Sequence, residues 1–551
     1  MPAKGGWMKR PLSGEYSPII LLQILCICGS VYALQNSTAE DGSNAVAVHQ
    51  LGITGKGVNV GLISARNVRD THEAFKDKPP KNPNTVHIFN TDYSGSDVNY
   101  AGGMVPGHDT WVAGIIASRG WTGRLKDIGT APGCDIYSAR VVDNAGNIDT
   151  DYVQAALQNL IDNNDCRVIM TGFQFNPNSV SDQWTLIYDY FAEEYDVVFA
   201  NAAGNDLAYI SVFGDAYNGI TTAALIDEPN DFYLRVGTLS NSGPTLDGRR
   251  KPEISCPGSS QTTPSIGSDT SYYTTAKDGA TSFAVPHTAG VVALLLEYAN
   301  STIDADDGHS EVVKAVIVNS TFPNIKDKSG NPTNPTAWHA QRGYGRIDAL
   351  RAYETLSAGR INKGTTTTSM LGWAYDTMGS TATHYYYIAG KKNERLILTV
   401  TWNRAVTREW ISRGKYWRYD DEPDKFNIDL KVAPSSSPEP NLFSETDPNN
   451  NLEKVDILLP ADGNYTITLA NSKNKSRDYG LAFERLPAMA GDFNIDYAVD
   501  GNDLSQIISD WLDTGKDTNI APDPDGRTNW LDFAEFADNW LKIDRRYYAG
   551  P

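Results

Sequence analysis

Three residues in this chain stand where a side chain could do covalent or electrostatic chemistry. Ser282 follows Thr281 at the head of an apolar run, Phe283 to Leu296, within the stretch Gly279 to Asn300. The run is apolar on nearly every face. That predicts a helix buried all round, because a helix in contact with water carries a polar stripe. Pro286 falls in its first turn, where a missing N–H costs little. Gly290 and Ala293 leave room for a close neighbour. A hydroxyl at a helix N-terminus has two readings. It caps the free N–H groups, or it is a nucleophile whose oxyanion those groups and the positive end of the dipole would receive. His108 opens a second helical segment, Asp109 to Ser118. A single histidine there is either a packed structural residue or a base. Asn205, in Ala202-Ala203-Gly204-Asn205, reads by itself as a turn after a buried strand.

Strands and helices alternate around these residues. Strands are predicted at Val58 to Ile63, Ile136 to Val142, Val168 to Met170 and Val197 to Ala200. Helices are predicted at Tyr152 to Ile161 and Tyr188 to Glu194. Short connections between them give an α/β fold, a parallel sheet flanked by helices. In such sheets a site forms at the carboxyl ends of the strands. Asn36 to Asn44, ahead of the first strand, is polar and reads as loose.

The stretch Thr281-Ser282-Phe283-Ala284-Val285-Pro286-His287-Thr288-Ala289-Gly290 resembles the serine motif of the subtilases, the subtilisin-like serine proteases. One position departs from it: Ala280 stands where the family has Gly. Gly107-His108-Asp109-Thr110-Trp111-Val112-Ala113-Gly114 resembles the family's histidine motif, with Asp109 in place of Gly and Trp111 in place of a second His. Gly129 to Gly133, Gly248 to Glu253 with Pro257-Gly258, and Gly343 to Ala349 resemble family structural segments, in order. The resemblance covers about residues 50–357. It implies a subtilisin-like fold, with Ser282 as nucleophile, His108 as general base and Asn205 as oxyanion donor.

The acid of that triad is the exception. Gly55 to Ile63 aligns with the strand that ends in the family's catalytic aspartate, and His72 matches a family position a few residues later. The aspartate position is Ser64, in Ser64-Ala65-Arg66. A serine hydroxyl could accept the histidine N–H but brings no charge to stabilise the imidazolium. Asp70, Asp92 and Asp109 are the alternative acids. Asp109 adjoins His108, but neighbouring side chains on a helix diverge.

The chain has 551 residues and a formal net charge of −20, which argues against nucleic acid or an anionic membrane surface as partner. Residues 1–33 read as a secretory signal. Lys4, Lys9 and Arg10 are followed by an apolar run, and Val31-Tyr32-Ala33 suits cleavage. No other segment is long enough to span a bilayer, so a secreted or cell-surface protein is expected. About 20 residues separate that cleavage point from the first strand, too few for a folding prodomain. Such a chain is expected to be a weak or inactive protease. Cys134, Cys166 and Cys256 read as buried small residues, with a Cys134–Cys166 bridge open.

Residues 45–358 are thus read as the subtilase-like domain and 359–370 as a linker. Residues 371–487 read as an all-β sandwich. In it Leu396, Leu398, Val400 and Trp402 alternate, as do Phe426, Ile428, Leu430 and Val432, and Tyr465, Ile467 and Leu469. Residues 490–543 carry a duplicated pattern. Asp492, Asn494, Asp496, Asp500 and Asp503 fall at positions 1, 3, 5, 9 and 12 of a calcium loop, with the Ala498 carbonyl at position 7 and Tyr497 at the usual glycine. A second copy, with Asp523, Asp525, Asn529 and Asp532, begins at Ala521 and should bind more weakly. The pair resembles a dockerin, a small helical calcium-binding module that docks onto cohesins. The resemblance implies Ca²⁺ and a cohesin-type partner; a calcium site in the peptidase domain is also open. The reading as a whole is a secreted subtilisin-like serine endopeptidase acting on protein or peptide substrates through an acyl-enzyme. The alternative is an impaired peptide-binding protein on the same fold, anchored by the C-terminal module.

Overall fold

A computed structural model describes residues 34–95, 107–174, 182–229, 231–412, 416–422, 425–437, 440–521 and 526–548. The segment read as a signal, and Asp523 and Asp525, lie outside the described residues.

The centre is an eight-stranded sheet. Seven strands run parallel, in the spatial order Ile254–Pro257, Ile220–Glu228, Val198–Ala202, Cys166–Thr171, Asn59–Ser64, Asp135–Arg140 and Ile88–Asp92. Asp231–Val236 adds an antiparallel edge strand. Val60 pairs with Ile136 on one side and Val168 on the other, so the strand ending in Ser64 lies inside the sheet. A strand buried on both faces needs no polar alternation, which is why these strands read as continuous apolar runs.

The helix Thr281–Ala299 packs across this sheet and against the helix His108–Ala117. Every residue from Thr281 to Leu296 is buried, as an all-round apolar surface requires. Its close neighbour is Thr130: a Cβ at Gly290 would lie 2.5 Å from the Thr130 Cβ. The segment expected to be loose is ordered. Leu34–Thr38 and Ala45–Gln50 are short helices, and Ser37, Thr38 and Ser43 are buried. Arg346 donates to the Asp41 carbonyl at 2.7 Å, and Asn44 to Asp348 at 2.8 Å. The Ser37 and Thr38 hydroxyls bond carbonyls of the segment itself, the Asn44 side chain bonds the body, and Gln35 and Glu40 face water. The three cysteines beyond residue 33 are buried and free, so Cys134 and Cys166 form no bridge.

The β-rich C-terminal region holds a separate antiparallel pair, Val406–Ile411 and Tyr416–Asp421, and two sheets packed together. One has the order Thr366–Thr367, Thr383–Gly390, Gly463–Ala470, Asp429–Pro434 and Phe443–Glu445, the other Leu371–Met378, Arg477–Leu486, Arg395–Trp402 and Leu452–Leu458. The alternating residues Leu396, Leu398 and Val400 face the shared core. Thr399 and Thr401 are buried too, because the helix Ser310–Asn319 covers that sheet's other face, and Ile397 packs there with Leu486 and Tyr547. Thr401 Oγ1 donates to the Glu311 carbonyl at 2.7 Å, and Lys454 Nζ to the Val318 carbonyl at 2.7 Å. The stretch read as a linker is strapped down. Thr366–Thr367 joins a sheet, and the Arg485 side chain donates to the Thr368 and Ser369 carbonyls.

Beyond it, Gly501–Ser509 and Trp530–Asn539 are two capped helices. Asp503 takes the Phe493 and Asp500 N–H groups at 2.7 and 2.9 Å. Asp532 takes those of Ile520 and Asn529 at 2.6 and 2.8 Å. The duplication seen in the sequence is therefore also a duplication of hydrogen bonding.

Candidate functional site

Ser282 lies in the first turn of the buried helix, 7% exposed. Ala280, at the N-cap, has no side chain to cap with. The cap comes from Asn205. Its Oδ1 accepts the Thr281 N–H at 2.9 Å and the Thr281 hydroxyl at 3.2 Å. Thr281 Oγ1 in turn accepts the Gly204 N–H at 3.2 Å. These bonds fix the carboxamide, since only its oxygen can face an N–H. Asn205 Nδ2 therefore points away from Thr281. Among the described residues no acceptor takes Nδ2 or the Ser282 N–H. Gln174 holds the loop from the other side, accepting the Asn205 N–H at 2.6 Å. The Asn205–Thr281 bonds thus bring the Asn205 side chain to the helix start that carries Ser282, and both N–H donors lack an acceptor among the described residues, as an oxyanion site requires.

His108 is the first residue of its helix. Gly107 before it has φ +87, a left-handed conformation that suits glycine, and a Cβ there would crowd Trp111. The imidazole sits between Trp111 and Phe283, with ring centroids 6.3 and 5.9 Å away. Phe283 adjoins Ser282, so the two helix starts meet here. Burial pushes the His108 pKa down to about 4, which keeps the ring neutral and able to accept a proton. No hydrogen bond joins Ser282 Oγ to the ring; catalytic hydrogen bonds are often long until substrate orders the site. Trp111, in place of the family's second histidine, stacks flat on Tyr273 at 3.7 Å.

Ser64 ends its strand fully buried, but its hydroxyl accepts the Ser138 hydroxyl at 3.0 Å. It does not hold His108. Asp70 is exposed. Asp92 accepts the Ser94 N–H and hydroxyl at 2.9 and 2.6 Å and lies 3.8 Å from the buried Arg140 guanidinium. Asp109 is 3% exposed, and its carboxylate accepts the Ala65 and Arg66 N–H groups at 3.3 and 2.9 Å. A carboxylate therefore does stand at the end of the Ser64 strand, delivered from the histidine helix. Burial pushes its pKa up to about 7 despite those two donors. Asp109 and the His108 ring diverge, as neighbours on a helix must. Among the described residues no carboxylate bonds to His108. The sequence signal for Asp109 was its place where the family has glycine.

A second cluster lies in the C-terminal module. Carboxylate oxygens of Asp492, Asp496 and Asp503 lie within 4.8 Å of one another. Burial, then the neighbouring Asp503 and Asp496 charges, push the Asp492 pKa up to about 6. Asn494 Oδ1 accepts the Asp496 N–H at 3.0 Å. Tyr497 has φ +69, the left-handed turn that the usual glycine makes without strain. Asp500 and Asn529 serve as N-caps. An all-oxygen donor set with mutual repulsion fits a hard divalent cation.

Pyrolysin of Pyrococcus furiosus is 27% identical over 276 residues, 45% of this chain and 19% of pyrolysin. A thermostable alkaline protease of Halalkalibacterium halodurans is 28% identical over 190 residues, 34% of this chain and 46% of that protease. The chain thus spans less than half the length of each of these relatives. Among solved structures, that of the prenylagaramide maturation protease PagA aligns with 57% of this chain and 98% of its own, at 19% identity and a TM-score of 0.42. The subtilase family model matches residues 55–345, more than half of the chain and the whole span from Ser64 to Ser282, and the chain belongs to the subtilase family.

Proposed function

We propose that this chain is a secreted serine endopeptidase with an altered acid. Ser282 Oγ attacks the scissile carbonyl and its proton passes to His108. The oxyanion is received by Asn205 Nδ2 and the Ser282 N–H. His108 then returns the proton to the leaving amine, and water hydrolyses the acyl-enzyme by the same route in reverse. The observation that supports this reading is the Asn205–Thr281 link, which ties the Asn205 carboxamide to the start of the Ser282 helix through its oxygen and leaves its nitrogen without an acceptor among the described residues. Without a carboxylate on His108 the imidazolium is poorly stabilised. In subtilisin, loss of the aspartate alone costs about 3 × 10⁴ in kcat, so a slow enzyme is expected. The test is casein hydrolysis by the chain beginning at Leu34. Ser282→Ala should abolish the activity; a rate unchanged by that substitution would end the reading.

A second reading has its own observation. Ser64 is bonded to Ser138, and among the described residues no carboxylate bonds to His108. A site in that state suits a groove that holds a peptide without cutting it. Activity gained only on Ser64→Asp would favour this account.

The C-terminal module is read as dockerin-like. Asp492, Asn494, Asp496 and Asp503 would hold Ca²⁺ with the Ala498 carbonyl, and Asp500 through water. The ion would neutralise their crowded charge and stiffen the loop. Asp523, Asp525, Asn529 and Asp532 would form a weaker site. The exposed apolar residues Leu512, Trp530, Leu531 and Leu541 would face a cohesin-type partner.

A further inference from the structure

The backbone nitrogen of Leu34 donates to Asp127 Oδ1 at 2.9 Å. Leu34 is fully buried and Asp127 is 3% exposed. Leu34 is also the residue that cleavage after Ala33 would make the first of the chain. We propose that the amino group so freed is a structural ligand: as an ammonium it pairs with Asp127 and seats the Leu34 side chain beneath the two helices that carry His108 and Ser282. This rests on the reading of residues 1–33 as a removed leader.

The packing gives the seat its reach. The Leu34 side chain belongs to a cluster with Trp111, Ile115 and Phe283. Trp111 is one turn from His108, and Phe283 adjoins Ser282. Asp127 stands near the far end of the histidine helix: its carbonyl accepts the hydroxyl of Ser118, that helix's C-cap, at 2.6 Å. The Leu34 carbonyl accepts the Ser37 and Thr38 hydroxyls at 2.9 and 3.2 Å, which fixes the direction of the terminus.

The electrostatics favour an ammonium over an amide. The other cation beside Asp127 is Arg124, 3.6 Å away and partly in solvent. Burial raises the Asp127 pKa, which marks a carboxylate short of compensation. An amide N–H offers one neutral hydrogen bond; an ammonium offers a full charge and three donors. It would also sit at the negative end of the histidine helix. The covalent step is hydrolysis of the Ala33–Leu34 peptide bond by a leader-removing peptidase. Water is consumed, Ala33 leaves with the new carboxylate, and Leu34 keeps the new amine, which takes up a proton.

The test compares the chain beginning at Leu34, released from a fusion with no residue left over, with the same chain extended by Tyr32-Ala33. Each is also made with Asp127→Asn. The Leu34 chain should unfold at least about 3 °C higher than the extended one, and Ser282 should react with a fluorophosphonate severalfold faster. Asp127→Asn should erase both differences, as a paired interaction requires. Equal midpoints for the first two chains, or a difference that survives Asp127→Asn, would overturn the proposal. If Ser282 never reacts, the protease reading fails while the unfolding midpoints still judge the ion pair. Should Asp127→Asn not fold, N-hydroxysuccinimidyl acetate on the folded Leu34 chain decides. Protection of the Leu34 amine supports the pair, and full acetylation overturns it. Sequencing the secreted protein should give Leu34 first; any other first residue overturns the inference for the natural protein.

Discussion

The Asn205 oxygen caps the Ser282 helix, which turns its nitrogen away from Thr281. In the proposed mechanism that nitrogen donates to the oxyanion. Asn205→Ala should lower kcat for peptide hydrolysis by about 10²–10³ with little change in KM, since the oxyanion exists only in the transition state. An unchanged kcat would remove Asn205 from the site. The His108 pKa of about 4 sets a second expectation. Its neutral form, the one that accepts a proton, persists well below the ordinary histidine value of about 6.5. kcat/KM should therefore hold from pH 7 down to pH 5 and fall only as pH nears 4. Ser64→Asp adds a negative charge that favours the imidazolium, so it should raise kcat and move the acid limb up in pH. A parent limb already at 6.5 would show that a carboxylate reaches His108. Ser282, His108 and Asn205 could be singled out in the sequence because their motifs are local, and the structure brings the two helix starts and the Asn205 loop together. The Ser64–Ser138 bond and the reach of Asp109 to Ala65 and Arg66 were not legible in the sequence. They depend on which strands pair and how the histidine helix sits, and these contacts join residues more than forty positions apart.

The central strands and the serine helix were legible because burial on all sides leaves an unbroken apolar run. The helix Asp182–Tyr195 was foreseen only over its second half, and the strands Ile88–Asp92 and Ile220–Glu228 were missed. Polar residues on a helix face or at a strand end blur such runs. The serine helix owes its place partly to Gly290. Gly290→Ala would push a methyl into Thr130 and should cost about 1–3 kcal/mol, seen as a lower unfolding midpoint. The strand Arg395–Trp402 teaches a different lesson. Its alternation marked the sandwich core, but a second face covered by a peptidase helix leaves no apolar signature when hydroxyls do the covering. Glu311 lies in that seam, accepting the Asn403 side chain at 2.9 Å, and burial pushes its pKa up to about 7. A carboxyl group whose folded pKa is raised stabilises the fold below its unfolded value. That stability is lost as pH rises from about 4.5 to about 7. Glu311→Gln should therefore flatten the fall in unfolding midpoint between pH 5 and 7. An equally steep fall in both proteins would locate the pH response elsewhere.

At the scale of the whole chain, the peptidase domain, the sandwich and the C-terminal module are fastened by side chains at their seams. Asn324 of the subtilase domain donates to the Tyr548 carbonyl at 2.6 Å, Arg545 pairs with Asp41, and Tyr547 donates to Asp456 at 3.0 Å. That an α/β part precedes a β-rich part was legible from the change of apolar pattern along the chain; these fastenings were not, because single charged residues at a seam look like ordinary surface residues in a sequence. Tyr497, inside the first calcium-type loop, packs on Tyr547, with Arg395 of the sandwich beside both rings. Calcium titrated calorimetrically into chelator-treated protein should bind, and raise the unfolding midpoint. Asp503→Ala should abolish the tighter event. No heat and no shift would leave the acidic loop a capped turn.

The central claim is that Ser282 is an activated nucleophile. It is tested most directly by incubating the folded chain with a fluorophosphonate and locating the adduct by mass spectrometry. The account predicts slow labelling on Ser282 that is lost in Ser282→Ala and accelerated by Ser64→Asp. A folded chain that remains unlabelled at Ser282, with or without Ser64→Asp, would contradict it.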